Sequence, residues 1–489
     1  MIAAPLRDRR ARARIFRRPD DAPVPVMAEL NLRFAGGADA AFARLDRLWR
    51  RVTGGTGPAR LAGQYATGEL SMHQVERLVA ADAVPVAPAR RSLYRVWPDF
   101  PVALHVDASC VTVKADAARR TFNAYGDRIV WAVVDTGIDG HHPHFAHYAT
   151  LGEEVADLHR DFTAADPAHG SPLTDDDGHG THVAGIIAGA IEPWKEKTDG
   201  ATVRAMEVRY NPANPREPMT VPRPVRDLEL LAGVASRARL VSLKAVAGGT
   251  PDDRVNRLIA ALAYVREING EGADGMRIHG VNLSVGYEFD PEWFACGQSP
   301  LCSEVDKLVR SGVVVVVAAG NSGYGTLDVA DVAPKKFGLA MTINDPGNAE
   351  RAITVGSTHR DSPHTYGVSY FSSKGPTGDG RCKPDLVAPG ERITSCAAGA
   401  KLRGVVGGDD PGAAVAEQKI AVYVEDSGTS MAAPHVSGAA AALLSVRREF
   451  IGDPDKVKQI LVESATTLGR SADFQGKGLL DLMRALQSV

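Results

Sequence analysis

The sequence is poor in the features that mark membrane-spanning, zinc-binding and nucleic-acid-binding proteins. Only five of its 489 residues are cysteine, and their spacing matches no zinc site. The longest purely apolar run, residues 313–319, is too short to span a bilayer. The net charge of −3 argues against a dedicated nucleic-acid binder. We therefore expect neither a membrane nor a nucleic acid among the partners.

A secretory signal is also missing from the start of the chain. The first 18 residues are rich in arginine but contain no apolar segment of the kind that signal peptides carry. We expect a cytoplasmic protein with reduced thiols, and export by a non-classical route is the alternative. Cys296 and Cys302 could close a small loop, but only in an oxidising compartment.

The length is too great for one ordinary hydrophobic core and indicates more than one domain. Residues 1–25 read as a disordered basic tail. Residues 26–106 combine an alternating strand with helical spacing and predict a small α+β domain, in which Ser71 and Gln74 form a helix capping box. Residues 107–128 form a linker of small and basic residues, and residues 129–489 form the main domain.

The main domain has the pattern of an α/β fold with a mostly parallel sheet. Nearly continuous apolar runs predict strands buried on both faces, and helical patterns lie between them. The strands are predicted at 129–134, 240–246, 278–285, 313–319 and 352–356, and the helices at 180–190, 253–268 and 303–311. Residues 192–227 are polar and rich in proline, so we expect a surface insertion rather than sheet. Residues 398–419 predict an exposed loop.

Four polar residues stand at the ends of predicted strands or the starts of predicted helices. Asp135 ends the first buried strand, His179 opens a helix, Asn321 follows the valine-rich strand and Ser430 opens a long apolar helix. Each has an ordinary explanation when taken alone, such as a turn, a helix cap or a buried histidine. Sites in parallel sheets collect at the carboxyl ends of the strands, so the four could converge.

Together the four residue types have a shared chemistry. A serine becomes a nucleophile when a base takes its proton, and His179 can act as that base. An aspartate behind the imidazole fixes its tautomer and stabilises its charged form. A side-chain amide can donate to the oxyanion that follows.

In their order Asp, His, Asn, Ser, the surrounding motifs closely resemble the subtilisin-like serine proteases, the subtilases. The resemblance runs from about Ile129 to Ala465. The motifs that carry it are Val133-Val134-Asp135-Thr136-Gly137-Ile138-Asp139, Gly178-His179-Gly180-Thr181-His182, Asn282-Leu283-Ser284-Val285-Gly286, Ala319-Gly320-Asn321-Ser322-Gly323, Ser373-Lys374-Gly375-Pro376, Lys383-Pro384-Asp385-Leu386-Val387-Ala388-Pro389-Gly390 and Gly428-Thr429-Ser430-Met431-Ala432-Ala433-Pro434-His435.

The resemblance implies a subtilisin-like three-layer fold and a serine endopeptidase that cleaves protein or peptide substrates through an acyl-enzyme. Ser430 would be the nucleophile, His179 the general base and Asp135 its orienting partner. The Asn321 side chain and the Ser430 N–H would stabilise the oxyanion. Backbone at Ser284, Val285, Gly286 and Gly320 would bind the substrate.

The chain departs from the family pattern near the family's calcium site. His144 stands where many calcium-binding members have an aspartate ligand, and residues 192–227 replace a loop that often carries further ligands. We expect no required cofactor and leave calcium unassigned. His141, His142, His144 and His147 follow no usual metal spacing, so no metal site is predicted.

Two stretches near the predicted site keep more than one interpretation. Asp175-Asp176-Asp177 could favour basic substrate residues or bind a cation, but a solvated loop that supports the helix N-terminus is favoured. The segment after Asn321, through Asn344-Asp345-Pro346-Gly347, is unlike the short family form and would shape the specificity pocket.

Two rival functions and one domain question stay open at this point. A non-catalytic subtilase-like protein could use the same groove to hold a peptide. An α/β-hydrolase esterase would need Gly-x-Ser-x-Gly and the order Ser, Asp, His, and the chain has neither. Residues 26–106 resemble the family's inhibitory pro-domains in pattern, which would make them an intramolecular inhibitor. The alternative is a permanent accessory domain.

Overall fold

The computed structural model describes residues 1–9, 12, 16, 19, 21–84, 87–99, 109–191, 202–211, 214–223, 225, 227–248, 253–270, 275–290, 292, 295–329, 332–406 and 420–489. The chain forms two compact units, Met1–Leu104 and His105–Val489. No helix in the described part is long and apolar enough to cross a membrane.

The described part of the first unit combines an antiparallel sheet, two long helices and a core of its own. Its elements are β1 (Val24–Leu30), α1 (Gly37–Thr53), β2 (Ala59–Leu61), β3 (Tyr65–Leu70), α2 (Met72–Ala83) and β4 (Leu93–Pro98), with strand order β2-β3-β1-β4. Every second residue of β1 is buried, which produces the alternation in the sequence. The predicted capping box of Ser71 and Gln74 is present at the start of α2.

The start of the chain differs from the predicted tail over residues 1–25. A short helix, Ala4–Arg7, places Leu6 fully inside the core of the first unit, and Val96 N donates to Met1 O. Strand β1 already begins at Val24. The arginines around Leu6 conceal this contact in the sequence, because one apolar side chain gives no periodic signal.

The second unit is built on a seven-stranded sheet in which every pairing is parallel. Its strands are β5 (Val130–Asp135), β6 (Arg160–Asp161), β9 (Arg239–Lys244), β10 (Gly280–Leu283), β11 (Val314–Ala318), β14 (Ile353–His359) and β15 (Leu386–Glu391). Their order across the sheet is β15-β14-β11-β10-β5-β9-β6. The predicted parallel sheet is thus confirmed.

Helices cover both faces of this sheet. In the described part of the unit the helices are α3 (Ala115–Phe122), α4 (His179–Ile187), α5 (Val255–Asn269), α6 (Pro300–Arg310), α7 (Gly399–Val406), α8 (Thr429–Val446), α9 (Pro454–Glu463) and α10 (Leu482–Gln487), besides four-residue helices at Ser109–Thr112, Pro363–Tyr366 and Ala472–Gln475. Trp131 and Val133 of β5 belong to the core that contains α4 and α8, whereas Ala132 and Val134 belong to the core that contains α5 and α6. The α/β fold therefore has the three layers that the apolar runs predict.

The segment expected to be a linker, residues 107–128, contains core structure instead. Within its described part, the helices Ser109–Thr112 and Ala115–Phe122 bury Val113, Ala115 and Ala118 in the same core as α8. The small side chains that suggest a linker are here the residues that let a short helix approach the core closely.

The expectation of no sheet between residues 192 and 227 is wrong for the described part. Strands β7 (Thr202–Asn211) and β8 (Asn214–Arg223) form a hairpin in a four-stranded sheet of order β16-β17-β7-β8, with β16 (Ile393–Cys396) and β17 (Ile420–Asp426). Strand β8 holds Pro215, Pro218 and Pro222 and lies at the sheet edge. An edge strand tolerates proline because one side of its backbone needs no partner within the sheet.

Two further segments complete the unit. The predicted loop at 398–419 contains helix α7, whose Leu402 is buried, while residues 407–419 lie outside the described part. After Asn321 a second hairpin forms from β12 (Tyr324–Val329) and β13 (Val332–Gly338). Cys296 and Cys302 are both buried free thiols.

Candidate active site

The structure joins Asp135 and His179 directly. Asp135 is the last residue of β5 and is fully buried, and His179 is the first residue of α4. Their Nδ1 and Oδ1 atoms are 2.7 Å apart. Because Nδ1 carries the proton of this hydrogen bond, Nε2 of the neutral ring is left with a lone pair and can accept a proton.

The electrostatics of the pair favour a charged imidazole. Burial lowers the pKa of His179, but the charge and the hydrogen bond of Asp135 outweigh it, so the pKa lies above its ordinary value. The second oxygen of Asp135, Oδ2, is buried and has no hydrogen-bond partner among the described residues. The negative charge of Asp135 is therefore compensated mainly by the charged imidazole of His179.

Ser430 is the second residue of α8, the long apolar helix. Its Oγ donates to the carbonyl oxygen of Ser284 at 3.0 Å, and no hydrogen bond joins it to His179. Ser284 belongs to the segment that the sequence predicts for substrate binding, so the nucleophile candidate and that segment are in direct contact.

Ser284 also donates a hydrogen bond back to Ser430, and a proline in the helix explains why. The sequence places Pro434 within the first turn of the helix, but it is the sixth residue of α8. Lacking an N–H, Pro434 leaves the Ser430 carbonyl without its helical donor. Ser284 Oγ donates to that carbonyl at 2.9 Å and takes the missing donor's place.

Two buried polar side chains support Ser284 from behind. Asn282 Nδ2 donates to Ser284 Oγ at 2.9 Å, and Asn282 Oδ1 accepts from Ser437 Oγ at 2.8 Å. The chain of hydrogen bonds thus begins and ends on α8. The role of the Ser284 side chain cannot be predicted from the sequence, because the Ser430 carbonyl is seen to lack a helical donor only once the start of α8 is known.

Asn321 is held so that its amide nitrogen remains available. Its Oδ1 accepts from Thr429 N at 2.9 Å and from Thr429 Oγ1 at 3.1 Å. Both bonds fix the amide orientation and leave Nδ2 as the free donor of the group. A Cβ added at Gly428 would lie 3.3 Å from this Nδ2, so the amide lies beside the start of α8.

The predicted substrate-binding residues lie close to one another. Gly320 has φ +103°, and an added Cβ would lie 2.5 Å from Cγ of Asn344. An added Cβ at Gly286 would likewise lie 2.5 Å from the Asp345 carbonyl oxygen. Glycine is needed at both places, because the segment after Asn321 returns to pack against them.

The returning segment is tied by backbone hydrogen bonds. Asn344 N donates to Ala319 O, and Tyr287 and Asp345 exchange two bonds, each of 2.9 Å. Val285 is half-buried against the core of α5 and α6, and Gly286 is exposed. The segment from Ser284 to Gly286 therefore presents accessible backbone at its end, next to Asp345.

The acidic run before His179 divides into three different environments. Asp177 Oδ1 accepts from the His179 N–H at 3.1 Å, as expected of a loop that supports a helix N-terminus. Asp176 has an 82% exposed side chain. Asp175 is buried, which the interpretation as a solvated loop does not anticipate.

The histidines after Asp139 do not form a metal centre. No group of three or more metal-binding side chains comes together in the described residues. His144 is buried between Ala188 O, which lies 3.1 Å from Nε2, and the Tyr423 hydroxyl, which lies 2.9 Å from Nδ1. Burial lowers its pKa to about 3, so the ring is neutral. A calcium ion requires oxygen ligands, whereas the His144 ring directs an N–H at Ala188 O, so the His144 side chain does not fit that ion.

The chain is similar to a known protein family and to several of its members. The subtilase family model matches residues 126–478. The chain is 29% identical over 293 residues to serine protease AprX of Bacillus subtilis (strain 168), a match that covers 59% of this chain and 52% of AprX. It is 27% identical over 363 residues to subtilisin E of the same strain, covering 74% of this chain and 66% of subtilisin E.

These matches span about half to two thirds of the length of the two relatives. Subtilisin of Bacillus pumilus is also 27% identical, and there the match covers 92% of the relative and 74% of this chain. A solved structure of MycP1 with the N-terminal propeptide removed aligns over 77% of this chain and 96% of its own, with a TM-score of 0.48 and 22% identity. Because the family model matches residues 126–478, well over half of the chain, the chain belongs to the subtilase family of serine peptidases.

Proposed function

We propose that the chain is a serine endopeptidase that hydrolyses peptide bonds through a Ser430–His179–Asp135 triad. The observation that carries the proposal is the 2.7 Å hydrogen bond between His179 and the buried Asp135, at the same sheet edge as Asn321 and the start of α8. Protein or peptide substrates follow from the family, and the resemblance gives the backbone of Ser284–Gly286, which follows strand β10, the role of pairing with the peptide.

The reaction begins when the Ser430 hydroxyl turns from the Ser284 carbonyl to His179 Nε2. His179 then takes the proton as Oγ attacks the peptide carbonyl, and Asp135 stabilises the imidazolium. Asn321 Nδ2 and the Ser430 N–H donate to the oxyanion. The imidazolium protonates the leaving amine, and the ester on Ser430 is hydrolysed by water, with His179 again acting as base.

The proposal is tested with Ser430→Ala and a matched control on the same helix. Ser445→Ala makes the same change near the end of α8, roughly 22 Å away at 1.5 Å per residue. We expect Ser430→Ala to abolish cleavage of casein and a fluorogenic peptide, and to abolish labelling by a serine-directed phosphonyl fluoride. Ser445→Ala should keep both.

The rival functions give different results in the same assays. Appreciable cleavage by Ser430→Ala would remove the nucleophile assignment. A wild-type chain that binds peptides but neither cleaves them nor accepts the label would be the non-catalytic binding protein. Cleavage of simple esters without any cleavage of peptides would favour an esterase.

We further propose that the first unit inhibits the second before its removal. Its support is the β1-α1-β2-β3-α2-β4 pattern, which resembles the family's pro-domains, and its separate core. A fragment should begin at residue 105, because the core of the second unit already includes Cys110 and Val113. Residues 1–104 added in trans should inhibit that fragment. A full-length chain that is fully active and uncleaved would show an accessory domain instead.

A further inference from the structure

A buried carboxylate, Asp175, lies in the loop that leads into helix α4. Its residue is only 4% exposed. Oδ1 accepts from Thr136 Oγ1 and from Gly178 N, both at 2.8 Å. Oδ2 accepts from Thr181 N at 2.8 Å and from Thr181 Oγ1 at 2.6 Å. Both oxygens are thus fully engaged with protein donors, which excludes Asp175 as a direct contact for substrate or a cation.

The donors to this carboxylate flank the two residues of the catalytic pair. Thr136 directly follows Asp135 at the end of β5, Gly178 directly precedes His179, and Thr181 lies one residue beyond Gly180 in α4. One carboxylate therefore joins the end of the strand that carries Asp135 to the start of the helix that carries His179.

Two further hydrogen bonds run between the same two elements. Gly180 N donates to Thr136 Oγ1, and Asp139 N donates to Thr181 Oγ1, both at 2.9 Å. The hydroxyl of Thr136 consequently donates to the carboxylate and accepts from the helix at once. Its orientation is fixed only while Asp175 accepts its proton.

The junction has little room to rearrange. A Cβ added at Gly180 would lie 2.1 Å from the Gly137 carbonyl oxygen, so the helix backbone already touches the chain after β5. Burial raises the pKa of Asp175, since desolvation outweighs its hydrogen bonds. Burying a carboxylate costs free energy, and no direct ion pair in the described residues offsets that cost. Asp175 should therefore contribute less to the free energy of folding than to the alignment of the strand end with the helix start.

We propose that Asp175 is a positioning residue. By holding the end of strand β5 and the start of helix α4 at a fixed distance, it sets the geometry of the hydrogen bond between His179 and Asp135. The inference rests on the proposed function, because the positioned groups are the base and its partner. Asp175 does not touch the reacting atoms. Its loss should therefore lower kcat through misalignment of His179 and leave KM nearly unchanged.

The test is Asp175→Asn with Asp161→Asn as the matched control. Asp161 is equally buried and accepts from Thr163 N, Thr163 Oγ1 and Ser171 N, none of which adjoins the catalytic pair. The asparagine amide offers one acceptor oxygen, so at least two of the donors to Asp175 lose their partner. We expect kcat of Asp175→Asn to fall by roughly 10- to 10²-fold, a range typical of a small misplacement. Asp161→Asn should lower the melting temperature without a comparable loss of kcat.

A second readout follows His179 without any turnover. The proton shared by His179 Nδ1 and Asp135 gives a downfield NMR resonance, which should shift or broaden in Asp175→Asn and stay unchanged in Asp161→Asn. Thr136→Val, which removes the bridging hydroxyl alone, should reproduce the NMR change even if Asp175→Asn does not fold.

Equal losses of kcat in the two asparagine variants, or an unchanged resonance in Asp175→Asn and Thr136→Val, would overturn the positioning role. A wild-type chain without peptidase activity but with the expected resonance changes would refute the proposed function and leave the positioning role standing.

Discussion

Substitution of Asn321 should change catalytic activity and folding stability through two different atoms of its side-chain amide. Replacing it with alanine removes the Nδ2 donor and also the oxygen that accepts from Thr429 N and Thr429 Oγ1. The donor acts on charge that develops only in the transition state, so kcat should fall by about 10²–10³, the range known for oxyanion-hole donors of the subtilisins, while KM stays nearly constant.

The lost acceptor predicts a second, independent effect. Thr429 is 1% exposed, and Asn321→Ala leaves its N–H without that partner. An unsatisfied buried donor costs about 1–3 kcal/mol, so the free energy of unfolding should fall by that amount. Asn321→Asp keeps an oxygen facing Thr429 but has no donor for the oxyanion. It should therefore be as inactive as Asn321→Ala, or more so, and lose less stability.

Steady-state kinetics on a fluorogenic peptide, together with urea unfolding of the same samples, would check both effects. A rise in KM with kcat unchanged would make Asn321 a ground-state contact and refute the oxyanion role. Equal stability of the two variants would refute the role assigned to its oxygen.

Three other predictions concern charge and metal. Lys401 lowers the pKa of His179 and Asp426 raises it, so Lys401→Met should move the acid limb of kcat/KM to higher pH and Asp426→Asn should move it to lower pH; shifts of the same sign would contradict this. Among the histidines whose pKa is lowered by burial, three have no exposed surface at all and stay neutral in the folded state. Stability should therefore fall as the pH drops below about 6.5, by up to about 1.4 kcal/mol per pH unit for each histidine, which thermal melts between pH 7 and 5 would show. These three histidines are His144, with a pKa of about 3, and His182 and His435, each with a pKa of about 4. The resemblance implies that His144 stands at a family calcium position, and its ring directs an N–H at Ala188 O and offers no oxygen, so EDTA should change the melting temperature little; a drop that calcium reverses would reveal a site elsewhere.

The sequence alone predicts the central sheet because its strands are buried on both faces. The apolar runs around β5 and β11 have no other simple explanation, and the four polar residues at the site lie within long motifs. Hairpin β7–β8 is not predicted from the sequence because β7 pairs with a strand more than 200 residues later, as in Thr202 with Ile420, and because the edge strand β8 tolerates three prolines. Short-range sequence patterns do not indicate which distant strands pair with each other.

The supporting residues of the site are hidden for a related reason. Thr136, Asp175 and Ser284 have ordinary local contexts, and each gains its role from a partner on another element. The unpaired carbonyl before Pro434 and the donors around Asp175 exist only in the folded chain. Motifs therefore reveal the groups that react, and the structure reveals the groups that hold them.

The order of the strands also has a consequence for the growing chain. Asp135 and His179 are synthesised early, whereas Ser430 arrives on a helix that packs against β11, β14 and β15. A nascent chain on the ribosome therefore carries a base and its partner but no nucleophile until most of the sheet exists. If the chain is the peptidase proposed above, topology alone delays proteolysis until every strand of the parallel sheet has been synthesised.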